Sequence, residues 1–171
     1  PVYQIPNPQL AISANRARYV AAVASMVEVN RDHPSVMVWS VGNEMTSSAD
    51  DAQASYIAAA TKKAKALDPS RPVGIAAGGP GNNCQSAYDP LDMIGLNDYF
   101  GWYTGESGSI ADRDLLSETL DVARKCYPTK ALMISEYGAE ASTAGQPEDR
   151  GTWTFANELI KFHLDVYASK P

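Results

Sequence analysis

The chain has 171 residues, with 20 acidic and 14 basic side chains and a formal charge of −6 when both histidines are neutral. Apolar residues make up 44% and charged residues 20%, the proportions of an ordinary globular domain, which exclude disordered, collagen-like and low-complexity classes. The acidic balance speaks against nucleic acid or an anionic membrane surface as partner, since both are bound by clustered Lys and Arg, and no apolar run approaches the ~20 residues that span a bilayer.

In chain order, helical and strand-like periods alternate four times. Ser13 stands where a cap would open a helix to about Arg31, with Val20, Val23 and Val27 at helical spacing and Pro34 beyond its end. Val36-Met37-Val38-Trp39-Ser40-Val41 is a near-continuous apolar run rich in β-branched residues, the pattern of a strand covered on both faces in a parallel sheet. Ser48, Asp50 and Asp51 start a second helix with Ile57, Ala60, Ala64 and Leu67 on one stripe, stopped by Asp68-Pro69-Ser70-Arg71-Pro72. Val73 to Ala77 is a second predicted strand, running into Gly78-Gly79-Pro80-Gly81, which matches neither common phosphate-binding glycine pattern. The third strand, Met93 to Asn97, leads into the aromatic loop Tyr99-Phe100-Gly101-Trp102-Tyr103. A helix near Asp112 to Lys125 and a fourth strand over Ala131 to Ser135 follow. The last helix runs from roughly Pro147 to Ser169 with Phe155, Leu159, Phe162 and Val166 on one face. Only the link between the second and third strands lacks a strong helical pattern.

Strands alternating with helices imply right-handed βαβ units, a parallel sheet and the α/β class. Two architectures satisfy this, an open doubly wound sheet or part of a (β/α)8 TIM barrel. Both gather ligands at the carboxyl ends of their strands. Cys84 and Cys126 form no CxxC and no Cys/His cluster, so no metal site is implied. Two unpaired thiols are the expectation, with pairing left open. His33 precedes a strand and reads as structural, His163 reads as a surface or packing residue beside Phe162, and Trp39 reads as core.

The strand ends carry the chemistry. The first ends in Asn43-Glu44, the third in Asn97-Asp98-Tyr99 and the fourth in Glu136-Tyr137. Paired carboxylates suit glycoside hydrolysis, where one attacks the anomeric carbon or activates water and the other protonates the leaving oxygen. The proton donor needs a raised pKa and the nucleophile must stay ionised. A Glu after a strand is also commonly a solvated loop residue or a helix N-terminal charge. Asp98 is a third carboxylate at this level, and Tyr99, Trp102 and Tyr103 fit a packed loop cluster as well as a sugar platform. Position alone leaves these readings open.

The local sequences are more specific. Asp32-His33-Pro34-Ser35-Val36, followed by Trp39-Ser40-Val41-Gly42-Asn43-Glu44, resembles the acid/base strand of glycoside hydrolase family 2. Ser135-Glu136-Tyr137-Gly138-Ala139-Glu140 resembles that family's nucleophile strand in its β-glucuronidase form. Leu67-Asp68-Pro69-Ser70-Arg71-Pro72 adds an intermediate match. Leu96-Asn97-Asp98-Tyr99-Phe100-Gly101-Trp102-Tyr103 resembles the Asn-x-Tyr-(Tyr/Phe)-x-Trp-Tyr loop of β-glucuronidases. Family order is kept over roughly residues 14 to 167.

The resemblance implies a (β/α)8 TIM barrel present in part, about strands four to seven. Residues 1–171 would then be a piece of one catalytic barrel, truncated at both ends and inactive alone. It further implies a retaining exo-β-glycosidase working by double displacement, a β-glucuronidase first and a β-galactosidase or β-mannosidase relative second. The partner would be a glycoside substrate, with no metal or organic cofactor, and there is room for a homo-oligomer of the full-length protein. Glu44 would be the general acid/base and Glu136 the nucleophile. Asn43 would bind the sugar 2-hydroxyl, Tyr99 would orient the nucleophile, and Asn97 and Tyr103 would line the sugar subsite. A reading from another class is a non-catalytic carbohydrate-binding barrel module. A third, an open α/β domain, would hold Glu44 and Glu136 far apart.

Overall fold

A computed structural model describes residues 4–45, 49–78, 84–105, 111–147 and 149–170. Pro1 to Tyr3, Ser48 as a helix start, and Gly79 to Gly81 of the glycine stretch lie outside the described residues. Strands β1 (Trp39–Asn43), β2 (Val73–Ala77), β3 (Met93–Asp98) and β4 (Ala131–Tyr137) lie side by side in that order. Every neighbouring pair is parallel. Spatial order equal to chain order is the wall of a (β/α)8 barrel, whereas a doubly wound sheet reverses direction at a switch point. The described residues thus hold a partial barrel wall of four strands.

The two faces of the wall differ. Trp39, Val41, Val73, Ile75, Ala77, Ile94 and Leu96 share one buried core with Val23 and Val27 of α2 (Ser13–Asn30) and Ile57, Ala60 and Ala64 of α3 (Asp51–Leu67). Strand alternation leaves Ser40, Gly74, Ala76 and Gly95 for the opposite face. Large apolar side chains therefore meet the helices, while the inside of the wall mixes small and polar residues with Met93 and Met133, which pair with Gly74 and Gly95.

Element types match the sequence reading, and their ends differ for local reasons. A short α1 (Asn7–Ala11) precedes α2, and Ile12 stands in the cap position without a side-chain bond, so Ser13 is the first helical residue rather than the cap. Strand β1 begins at Trp39 rather than Val36, because the Trp39 N–H pairs with the Pro72 carbonyl at 3.0 Å and the ladder has no partner before that point. Met37 is accordingly 82% exposed. Asp50 caps α3 by accepting the Gln53 N–H at 2.9 Å. A 3₁₀ turn at Arg113–Leu115 precedes α4 (Leu116–Cys126). Helix α5 (Trp153–Ala168) starts later than Pro147, since Gly145 and Gly151 take positive φ (97° and 84°) and Thr152 supplies the cap. No helix among the described residues is long and apolar enough to cross a membrane.

At the amino ends of the strands, the Asp68-Pro69-Ser70-Arg71 turn forms a clamp. Asp68 accepts from Trp39 Nε1 at 2.9 Å and from Arg71 Nη1 at 2.6 Å, while Arg71 Nε donates to the Val36 carbonyl at 2.7 Å. Hydrogen bonds from Ser70 and Arg71, then Trp39, hold the Asp68 carboxyl well below the usual carboxylate range against the opposing effect of burial. Trp39 is core, as expected, and the exposed His33 serves this end through its carbonyl, which accepts from Arg71 Nη2 at 3.2 Å.

The cysteine expectation is corrected. Cys84 and Cys126 form a disulfide, 42 residues apart in sequence. The link between β2 and β3, which carries only a 3₁₀ turn (Ser86–Tyr88), lies against the end of α4. There the Tyr88 and Tyr127 rings are 6.1 Å apart and the Gln85 N–H donates to Tyr127 Oη at 2.9 Å. That packing brings the two cysteines to 4.9 Å between Cα atoms, within bridging range.

Candidate active site

Two strands break register just before a candidate glutamate. Strand β1 pairs Ser40 with Gly74, then shifts before Asn43 meets Ala76. In β4, Ile134 pairs with Leu96 and Glu136 with Asn97, so Ser135 is the extra residue. Such bulges re-aim side chains that regular alternation would send to the other face.

Glu44 follows β1 with φ at +46°, the left-handed region that a residue with a Cβ seldom takes. Its backbone N–H reaches the Ala76 carbonyl at 2.9 Å, and its carboxylate is held from two sides. Gln4 Nε2 donates to Oε2 at 3.0 Å, and Asn97 Nδ2 donates to Oε1 at 3.0 Å. An ideal Cβ on Gly78 would stand 3.1 Å from the Glu44 Cβ and Cγ, so the glycine leaves room for this turn.

Asn97, only 1% exposed, also donates from Nδ2 to Asn43 Oδ1 at 3.2 Å and accepts from Ser135 Oγ at 2.7 Å. Two residues on, Tyr99 Oη donates to Glu136 Oε2 at 2.7 Å. The Tyr103 ring stands edge-on to Tyr99 at 5.5 Å and is 51% exposed. The Tyr99 phenol is pushed well above its ordinary range, first by its bond to Glu136, then by burial and by the charges of Glu136 and Glu44. Asn97 and Tyr99 of one strand end therefore hold Glu44 and Glu136, which ties the ends of β1, β3 and β4 into a single cluster.

Glu44, Glu136, Asn43, Asn97, Tyr99 and Tyr103 are thus brought together. Asp98 is not among them. It lies on the helix side of β3, where it is buried and accepts the Phe100 N–H at 3.0 Å and the Tyr167 hydroxyl. Trp102 packs on Phe155 of α5 at 6.3 Å, with the Arg150 guanidinium 5.8 Å from its ring. His163 is a packing residue and fully buried, donating from Nε2 to the Phe100 carbonyl at 2.8 Å. No group of three or more His, Cys, Asp or Glu side chains among the described residues could hold a metal ion.

Sequence reasoning missed Gln4 and Ser135. Nothing near Gln4 marks it, because its contact with Glu44 spans 40 residues. Ser135 adjoins Glu136, yet period-two alternation assigns neighbours to opposite faces, and only the bulge reverses that.

Comparison with known proteins adds four findings. A family model described as "Glycosyl hydrolases family 2, TIM barrel domain" matches residues 9–168. The chain is 33% identical over 158 residues to the beta-glucuronidase of Streptococcus agalactiae serotype V, covering 89% of this chain and 25% of that protein. It is 31% identical over 164 residues to the beta-glucuronidase of Homo sapiens, covering 94% of this chain and 24% of that one. The solved structure of a beta-glucuronidase from Ruminococcus gnavus, in complex with a C6-substituted uronic isofagomine, superposes with a TM-score of 0.86 at 22% identity. That match covers 99% of this chain and 30% of the other, and it is a likeness of fold. The chain spans about a quarter of the length of the curated relatives it matches.

Proposed function

The chain belongs to glycosyl hydrolase family 2, as the match over residues 9–168 shows, and on that premise we propose that it carries both catalytic carboxylates of a retaining exo-β-glycosidase acting on β-D-glucuronides. Glu136 attacks the anomeric carbon and forms a glycosyl-enzyme while Glu44 protonates the departing oxygen. In the second half Glu44 takes a proton from water, which attacks the same carbon and releases Glu136. Asn43 and Tyr103 line the sugar subsite, with Asn97 at its base holding Glu44. The glucuronide preference rests on the beta-glucuronidases among its relatives.

One observation carries the reading: two residues apart at the end of β3, Asn97 donates to Glu44 at 3.0 Å and Tyr99 donates to Glu136 at 2.7 Å. Two carboxylates on separate strands, held by near neighbours on the strand between, suit the short separation of ~5–5.5 Å that a retaining mechanism uses. We further propose that more strands close this wall into a complete barrel, because the inner face, with Met133 42% exposed, and two strand edges otherwise stay open.

The test is made on the intact protein. A 2-fluoro aryl β-D-glucuronide is expected to leave a covalent adduct on Glu136, read by mass spectrometry of the digested protein. Glu136→Gln and Glu44→Gln are expected to lose turnover of aryl β-D-glucuronides, the latter by ~10²–10⁴-fold on poor leaving groups. Wild-type turnover by either variant would overturn the assignment. Saccharide binding without hydrolysis would point to a binding module instead.

A further inference from the structure

We infer that Ser135 is a positioning residue for Glu44, acting through the Asn97 amide. The inference rests on the proposed function above and adds a residue to it.

An asparagine amide presents an acceptor at one end and two hydrogens at the other. In Asn97 both hydrogens are engaged, one with Glu44 Oε1 at 3.0 Å and one with Asn43 Oδ1 at 3.2 Å. The oxygen takes its hydrogen from Ser135 Oγ at 2.7 Å. While Glu44 is ionised, its charge alone keeps the hydrogens facing it. A general acid must spend part of each cycle protonated, and its O–H then becomes a donor.

At that moment the amide oxygen matters. Asn97 is buried, so its oxygen needs a donor from the protein. With the Ser135 hydroxyl in place the oxygen is satisfied, and the Glu44 proton has no acceptor on this side. Without that hydroxyl, the buried amide oxygen is left unpaired and the amide is no longer fixed from behind, so its N–H drifts off Glu44 Oε1 and the acid is less well aimed at the leaving oxygen. Ser135 thus keeps Glu44 in line to hand its proton to the substrate.

Regular alternation from Met133, opposite Gly95, already sets Ser135 on the inner side of the wall. The bulge then brings Glu136 to that side as well, so the two neighbours reach Asn97 and Tyr99 respectively. Gly95 gives the hydroxyl its space, since an ideal Cβ there would lie 2.6 Å from Ser135 Oγ.

The experiment compares kcat/KM, which reports the glycosylation half, for two aryl β-D-glucuronides in the intact protein. 4-Methoxyphenol leaves only with a proton donated to it, whereas 2,4-dinitrophenolate leaves without one. Ser135→Ala is expected to lose more on the first substrate than on the second, by about tenfold, a share of the ~10²–10⁴ a positioned acid supplies. Gly95→Ala, which keeps the serine but displaces its hydroxyl, is expected to shift the ratio the same way, and Ser135→Thr, which keeps a hydroxyl, to restore it. Equal losses on both substrates, the mark of a merely structural role, or no loss on either would overturn the inference. Glu136→Gln serves as the separate control: wild-type turnover by it would remove the proposed function and this inference with it.

Discussion

Tyr99 gives its single hydroxyl hydrogen to Glu136, and that bond is the first cause of the raised phenol pKa. A phenol so raised stays neutral, and so stays a donor, as pH climbs through the ordinary tyrosine value near ~10. A hydrogen bond to a charged group contributes ~1.5–3 kcal/mol, so Tyr99→Phe is expected to lower kcat/KM by about tenfold to a hundredfold. The same bond contributes to folding, so the thermal midpoint should fall by a few degrees as well, and steady-state kinetics beside a melting curve checks both. Asp68 gives a prediction in pH. Its carboxyl is lowered, so its contribution to stability is fully present above the unfolded value near ~4 and is lost as pH falls toward the folded one. The stability gap between wild type and Asp68→Asn should hold steady from neutral pH down to about 5 and shrink below ~4, measured by unfolding at each pH. Glu44, Glu136, Asn43 and Tyr99 were legible because each stands in a motif whose neighbours occupy fixed places. Gln4 was not, because its role depends on a contact 40 residues away and on a backbone turned to φ +43°.

At the level of strands and helices, hydrophobic period identified α2, α3, α4, α5 and all four strands among the described residues but not the five-residue α1, and the ends of these elements followed partners that period does not contain. Strand β1 waits for Pro72 to offer a carbonyl, and α5 waits for Thr152 to cap it after Gly151. The two bulges were invisible for the same reason: a skipped residue is a property of two strands together. The one in β4 brings Glu136 to the side that its neighbour Ser135 already faces, so the two meet Tyr99 and Asn97 on one side of β3. Gly95 tests how tightly this is packed. A methyl there meets Ser135 Oγ at 2.6 Å and the Ile75 carbonyl at 3.1 Å, and overpacking of this kind costs ~1–3 kcal/mol. Gly95→Ala should therefore lower the denaturant midpoint without changing the m-value.

Over the whole molecule, the alternation of strands and helices with motifs in the family's order was enough to read a barrel wall, and the wall's spatial order agrees with it. The disulfide escaped, because the packing that joins Cys84 to Cys126 belongs to a crossover without a helical period. The model of chain entropy gives a loop of this size about 4 kcal/mol of stabilisation. The double variant Cys84→Ser, Cys126→Ser should lose about that much in urea unfolding, and reductant should weaken wild type but leave the variant unmoved. Strand β3 carries a last consequence. Asn97 and Tyr99 stand two residues apart on it and serve different carboxylates, while Asp98 between them serves a helix. A slip of β3 by one residue would exchange its faces, sending both partners toward the helices and Asp98 inward. Glu44 and Glu136 would lose their support in the same event, so a misaligned molecule would be inert rather than slow. In a preparation containing such molecules, activity would count the correctly aligned fraction.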